Sequence, residues 1–448
     1  MYLSDKLFWI KNRLFRPQAM RLYGEAMKNK KLSILELREI NWNKRKSLVL
    51  YAYNNIPFYR KYYDSLGFNP AELKSEADWK NIPILTKDLV RKYTEELRNK
   101  SIPSSFTTTG GSTGKPLKVY KDKRFKAEIL GWRAFSMWNI SPADNTAITH
   151  RRVPQSGFAR FKNRLLWWPT KRIYLSATSM SEEEISRFVQ DLTRYKIVWI
   201  TGYAGALECV ADYILAHHIQ ITTLQLVWST SAPLTTNSRN KMERAFGCKV
   251  MDQYGSCEVS HIAQQCPHSE HLHINYDFVH VDIVDGNGLP VYDEEGDILV
   301  TDLYNYAFPL IRYKLGDRGC FVKEACECGV SLPLMKSVKG RTSDMVYTPG
   351  GRVIDGSYLT TIFDNYPEEI DQFQIYQKAD YSIVVYYRPK DSATERIDKV
   401  IETIRATLES DVASEIPISF QQVETIAHDA GKTRYIISEV ALNKLNKK

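Results

Sequence analysis

The sequence predicts an α/β protein. A large N-terminal domain, residues 1–341, combines mixed sheets and helices with a β-rich part, and a small α+β domain, residues 342–448, follows. Three observations carry this. The first hundred residues place apolar side chains at three- and four-residue steps, the middle alternates short apolar runs with helical patterns, and the end reads β-β-α-β.

The elements justify this in order. LSILELREINWNKRKSLVLYAYNNIPFYRKYYDSL is helical, punctuated by Pro57, Pro70 and Pro83. PLKVYKD alternates like a short strand, and KRFKAEILGWRAFSMW returns to helical periodicity. SEEEISRFVQDLTRY, KIVWITGY, LECVADYILAHH, LQLVWSTS, SRNKMERAFG and CKVMDQYG then alternate helix and strand, as a largely parallel sheet covered by helices requires. FVHVDIVD, GDILVTDL and PLIRYKLGD are strand-rich. SVKGRTSDMVYTPGGR, rich in Gly, Ser and Thr, reads as the linker to QFQIYQ, YSIVVYYRP, RIDKVIETIRATLES and ISFQQV.

Composition narrows the function classes. At 448 residues the chain exceeds one simple core, and its 43% apolar and 25% charged shares are those of a water-soluble globular protein. No window approaches the roughly 18 uninterrupted apolar residues of a membrane span, and the start has no secretory pattern. Seven cysteines without a disulfide spacing point to a reducing, cytoplasmic location. A net charge of +9 suits an anionic substrate or cofactor, and nothing in the pattern calls for nucleic acid.

Four segments carry chemistry. TTTGGSTGKPLKVY, residues 107–120, supplies Thr109, Gly110, Gly111, Ser112, Thr113 and Gly114, whose amides and hydroxyls can wrap phosphate oxygens. It is not a Walker loop, because Thr109 replaces the first glycine and Pro116 the metal-binding hydroxyl. YGSCE, 254–258, follows an apolar strand: Tyr254, Gly255 and Ser256 are candidate cofactor-binding residues, Tyr254 able to stack on a base, and Glu258 can hold Mg²⁺. Asp317 in RYKLGD follows a strand and a glycine, a placement that suits ribose hydroxyls. Lys432 lies on the glycine-flexed AGKTRY. Each has a plainer reading as a surface loop, a turn or a solvated charge, and their joint order favours the functional one.

In that order the segments resemble those of the adenylate-forming superfamily, namely acyl-CoA synthetases, peptide-synthetase adenylation domains and luciferases. The double glycine before Ser112, NNIPFYR and LPLMKSVKGR are similar to the phenylacetate–CoA ligase-like branch, and within it to CapK-type proteins associated with capsular polysaccharide synthesis. The resemblance implies an ATP-dependent ligase that makes an acyl-adenylate and passes the acyl group on. Ser112, Thr113 and Gly114 would cradle the β- and γ-phosphates, Glu258 would ligate Mg²⁺, and Tyr254 would lie near adenine. Asp317 would hold ribose, with Arg341 assisting, while Lys432 would bridge carboxylate and α-phosphate. Asp344 would be the hinge of a mobile small domain. Thr342-Ser343-Asp344 carries one acid where many relatives have a pair, and VWSTSAPLT lacks a glutamate common in relatives. The implied partners are a small carboxylic acid and coenzyme A, with an amino sugar or carrier thiol as rival acceptor. A homodimer is compatible with this, and a nucleotide-binding scaffold without ligase activity is the reading from another class.

Two stretches fall outside those motifs. Cys326 and Cys328, with Cys266 and His273, could form a Cys₃His set for structural Zn²⁺, with His268 and His271 as alternative fourth ligands. HRRVPQSGFARFKNRLLWW, 150–168, is basic and aromatic. It could meet a CoA phosphate, a lipid-linked sugar or a partner, or be a solvated helix face.

Overall fold

A computed structural model describes all residues except 1–2, 110–116, 151–156, 178–179, 339–345, 351–352, 355–358, 360–361, 364, 367–368, 391–395, 412–414, 427–433 and 447–448. The architecture is α/β, and the chain divides into two compact units. One comprises Met1–Asp144 with Met251–Val338, the other Asn145–Val250 with Lys339–Lys448.

The first unit opens with helices Leu3–Phe15, Pro17–Asn29, Ile34–Asn55 and Pro57–Ser65. Two begin with a proline, whose missing N–H costs nothing in a first turn. Ser33 caps the long helix reciprocally with Glu36. Strands Ser104–Thr109 and Leu117–Asp122 pair antiparallel, with Thr109 opposite Leu117, and helix Glu128–Trp138 follows. Strands Val279–Val284, Gly296–Asp302 and Tyr313–Gly319 form a three-stranded antiparallel sheet. A second antiparallel series runs through Ala263–Gln265, Leu272–Ile274, Leu334–Met335 and Phe321–Val322.

A buried polar network ties these pieces together. Arg133 and Asp277 are both 0% exposed, and the guanidinium Nη1 donates to both carboxylate oxygens at 2.9 Å. Asn29 donates to the same carboxylate at 2.9 Å. The other guanidinium nitrogen donates to Asn275, which exchanges two side-chain hydrogen bonds with Gln264 at 2.8 and 2.9 Å. These bonds engage both terminal guanidinium nitrogens and both carboxylate oxygens, and the buried Arg133 Nε has no partner of its own among the described residues.

In the second unit, strands Thr146–His150, Arg172–Ser176, Trp199–Tyr203 and Leu226–Thr230 pair parallel. Helix Glu182–Arg194 buries Ile185, Phe188, Val189 and Leu192, one apolar stripe, and Ser181 caps it ahead of three glutamates that suit the positive end of the helix dipole. Helices Ala204–Ala216 and Thr236–Phe246 pack on the same core. From residue 346 a separate core forms, with Phe373, Ile375, Val385, Ile404 and Ile436 at its centre. Its sheet orders Ile418–Gln422, Ile383–Pro389, Ile370–Gln377 and Ile436–Ser438, with helix Ile397–Asp411 and a last helix, Glu439–Asn446. The expected β-β-α-β is present, extended by one parallel strand and one helix.

Removing one partner of a dry ion pair strands the other. Asp277→Ala should therefore lower unfolding stability by about 3–5 kcal/mol, read as a drop in the urea midpoint. A loss below about 1 kcal/mol would show that the pair contributes little.

Candidate functional site

Strand Lys249–Tyr254 delivers YGSCE to its carboxyl end. Ser256 shapes the segment: its Oγ accepts from the backbone N–H of Glu258 at 3.1 Å and of Val259 at 3.0 Å, and its own N–H donates to the Val259 carbonyl at 2.8 Å. Gly255 allows a close passage here. A Cβ on it would lie 2.7 Å from the Gln253 side-chain nitrogen and 2.9 Å from the His261 backbone nitrogen.

Two contacts join this segment to strand Tyr313–Gly319. The Tyr254 hydroxyl donates to Asp317 Oδ2 at 2.9 Å, and the Tyr313 hydroxyl donates to Glu258 Oε1 at 3.2 Å. Tyr313 and Asp317 lie on one strand, and both reach the YGSCE segment. Both carboxylates are buried. Burial, reinforced by the Glu258 charge, drives the Tyr313 phenol far above its ordinary range, so it stays a donor at any working pH. Lys121 donates to the Glu258 carbonyl, and burial lowers its affinity for a proton against the opposing pull of Asp302 and Glu258.

Asp317 does not follow a strand, as its sequence context suggested, but lies within one. Gly316 adopts φ +84 and the pairing register with Gly296–Asp302 shifts nearby, so a glycine that reads as a strand end is a local irregularity the strand continues through. Tyr313 and Lys121 carry little signal in the sequence alone. Tyr313 sits inside the RYKLGD motif, and its role depends on the partner strand; Lys121 has only its place in an alternating strand as a signal.

The structure thus brings Tyr254, Gly255, Ser256, Glu258 and Asp317 together. Thr109 ends a strand opposite Leu117. Gly110, Gly111, Ser112, Thr113, Gly114, Arg341, Asp344 and Lys432 lie outside the described residues.

Elsewhere in the same unit Cys266, His273, Cys326 and Cys328 bring their ligand atoms within 4.8 Å of one another. Cys266 Sγ lies 3.4 Å from Cys326 Sγ, and Cys328 Sγ lies 3.4 Å from His273 Nε2. A tetrahedral ion with ~2.3 Å bonds to sulfur sets ligand–ligand edges of ~3.5–3.8 Å, whereas a disulfide needs ~2.05 Å, so the set fits a metal and not a sulfur–sulfur bond. Burial lowers His273 to about 4, leaving a neutral imidazole at neutral pH, and raises the Cys266 thiol to about 12. A cation binding there must displace thiol protons, so its hold weakens as pH falls. His268 and His271 are not in the group.

Comparison with known proteins places likenesses along most of the chain. Residues 346–439 match the CapK C-terminal domain. Protein CapK of Staphylococcus aureus is 22% identical over 96% of both chains. The phenylacetate-coenzyme A ligase of Thermus thermophilus is 25% identical over 76% of this chain and 78% of its own. Among solved structures, a 2-hydroxyisobutyryl-CoA ligase in the postadenylation state matches with TM-score 0.75 and 18% identity over 93% of both chains. The chain is thus similar to Protein CapK along nearly its whole length and to phenylacetate-coenzyme A ligases over about three quarters of it, and it shares the fold of an acyl-CoA ligase.

Proposed function

We propose that the protein activates a carboxylic acid with ATP and transfers the acyl group to coenzyme A. The carboxylate oxygen attacks the α-phosphorus, the bond to the β-phosphate breaks, and pyrophosphate leaves. A thiolate then attacks the acyl carbon and AMP departs. The observation that carries this reading is the pairing of Tyr254 with Asp317 and of Glu258 with Tyr313, which ties two segments that resemble nucleotide-binding motifs into one cluster.

In this reading Asp317 accepts from the ribose hydroxyls, displacing the Tyr254 hydroxyl, and Tyr254 lies beside the base. Glu258 holds Mg²⁺, whose charge offsets the anions that adenylation brings together. Thr109, Gly110, Gly111, Ser112, Thr113 and Gly114 hold the leaving pyrophosphate end. Lys432 neutralises charge between carboxylate and α-phosphate, and Arg341 assists at the ribose. The large domain, 1–341, binds the substrates, and the small domain, 342–448, moves about Asp344 so that Lys432 withdraws before the acceptor enters. The Cys266, His273, Cys326 and Cys328 set holds a structural Zn²⁺.

An amino sugar as acceptor is the second reading. It is favoured by likeness to CapK over 96% of both chains and by the match of 346–439 to the CapK C-terminal domain, whereas the Thermus ligase aligns with 76% of this chain.

Three outcomes test these proposals. Carboxylate-dependent pyrophosphate exchange should appear with at least one acid of a panel, and exchange with none despite measurable ATP binding would leave a scaffold. Lys432→Ala and Glu258→Gln should each cut that exchange by on the order of 10²–10³, with Lys432→Ala still binding ATP; near-normal exchange would remove the residue from the mechanism. Freshly purified, chelator-free protein should carry about one zinc per chain, lost on Cys326→Ser together with Cys328→Ser, and a content far below one equivalent would sink the metal assignment.

A further inference from the structure

Helix Gly157–Trp167 belongs to the second unit and turns its two sides to different surroundings. Its inner side is anchored: Asn163 donates to the Tyr174 hydroxyl, and the Arg172 guanidinium lies 3.3 Å from the centre of the Trp167 ring. Phe158, Phe161 and Leu165, at i, i+3 and i+7, stand on the opposite side and are 78%, 64% and 68% exposed. Water-facing phenylalanines at helical spacing are a cost that folding alone does not explain.

Charge along this stretch of the sequence has one sign. Between Asp144 and Glu182 the sequence holds no acidic residue, yet it holds Arg151, Arg152, Arg160, Lys162, Arg164, Lys171 and Arg172. That is +7 of a chain total of +9, so nearly all the net positive charge of the protein falls in this segment. Lys162 and Arg164 are themselves exposed on the helix. An apolar face bordered by cations is the pattern of a helix that lies in a bilayer interface, with rings among acyl chains and basic groups at headgroup phosphates. A neutral protein partner would use the rings and leave the charges without purpose.

We propose that helix Gly157–Trp167 is a docking surface for an anionic lipid bilayer, holding the protein against a membrane that none of its described helices is apolar enough to cross. Docking of this kind is reversible, because one short helix buries a modest area and much of the attraction is screened by salt. It would bring the protein to substrates or acceptors carried by lipid, and it does not rest on the ligase assignment.

Sedimentation of the full chain with vesicles tests it. At low salt the protein should pellet with vesicles containing phosphatidylglycerol, fail to pellet with pure phosphatidylcholine, and come off as salt rises. The variant K162Q/R164Q should bind about 25-fold more weakly, since each basic group near such a surface contributes about fivefold. F161D/L165D should abolish pelleting, while circular dichroism and the thermal transition stay those of the parent. Equal binding to both vesicle types, no binding to either, or variants that bind like the parent would overturn the proposal. So would a parent dimer that F161D/L165D converts to monomers without any vesicle binding, because a second copy would then be what covers the face.

Discussion

The dry pairing of Arg133 with Asp277 holds the first unit in register. Helix Glu128–Trp138 supplies the cation, the turn after Leu272–Ile274 supplies the anion, and Asn29 closes the ring from the end of helix Pro17–Asn29. An unpaired charge in such a place would be intolerable, so the three pieces must arrive together. Asn275 carries the constraint onward: its side chain is engaged by Arg133 and Gln264 and donates to the His261 carbonyl at 2.6 Å. His261 follows the YGSCE segment closely and His273 precedes Asn275 by two positions. One buried pair therefore positions both the Glu258 segment and a metal-ligand candidate.

The Glu258 and Asp317 cluster shows how little machinery is needed to aim two carboxylates. A serine hydroxyl bends the chain, a glycine lets it pass, and two tyrosine hydroxyls fix the acids from either side of a strand gap. Each tyrosine hydroxyl donates to one carboxylate oxygen, a contact that a polyhydroxylated or cationic ligand can replace. The tyrosine contacts hold the cluster in shape, which limits the reorganisation that binding would otherwise require.

Much of this was legible in the sequence because long periodic segments leave little choice. SEEEISRFVQDLTR carries its own cap, dipole complement and apolar stripe, and its helix runs Glu182–Arg194. The alternation of such helices with apolar runs announced a parallel sheet, and Trp199–Tyr203 and Leu226–Thr230 pair accordingly. What escaped was short or relational. Ala263–Gln265, Leu272–Ile274 and Ile436–Ser438 have three residues each, too few to display a period of two, and exist because a neighbouring strand offers hydrogen bonds. Tyr313 could be read as a core aromatic from its own context. Its contact with Glu258 depends on a pairing that brings residues far apart in sequence together. The glycine of RYKLGD misled in the opposite sense, since a left-handed residue ends most strands but only bends this one.

The positions of the four clustered cysteine and histidine residues have a topological consequence. Cys266 opens the turn between two short paired strands and His273 lies within the second of them, while Cys326 and Cys328 lie on the turn between Phe321–Val322 and Leu334–Met335. The chain between the two pairs includes the whole three-stranded sheet, with Tyr313 and Asp317 on its last strand. An ion bound by all four would be a reversible cross-link around that excursion, restricting the unfolded chain as a disulfide does but answering to metal supply and acidity in place of oxidants. The rigidity of the strand that presents the carboxylate would then be a variable set by the ionic composition of the compartment.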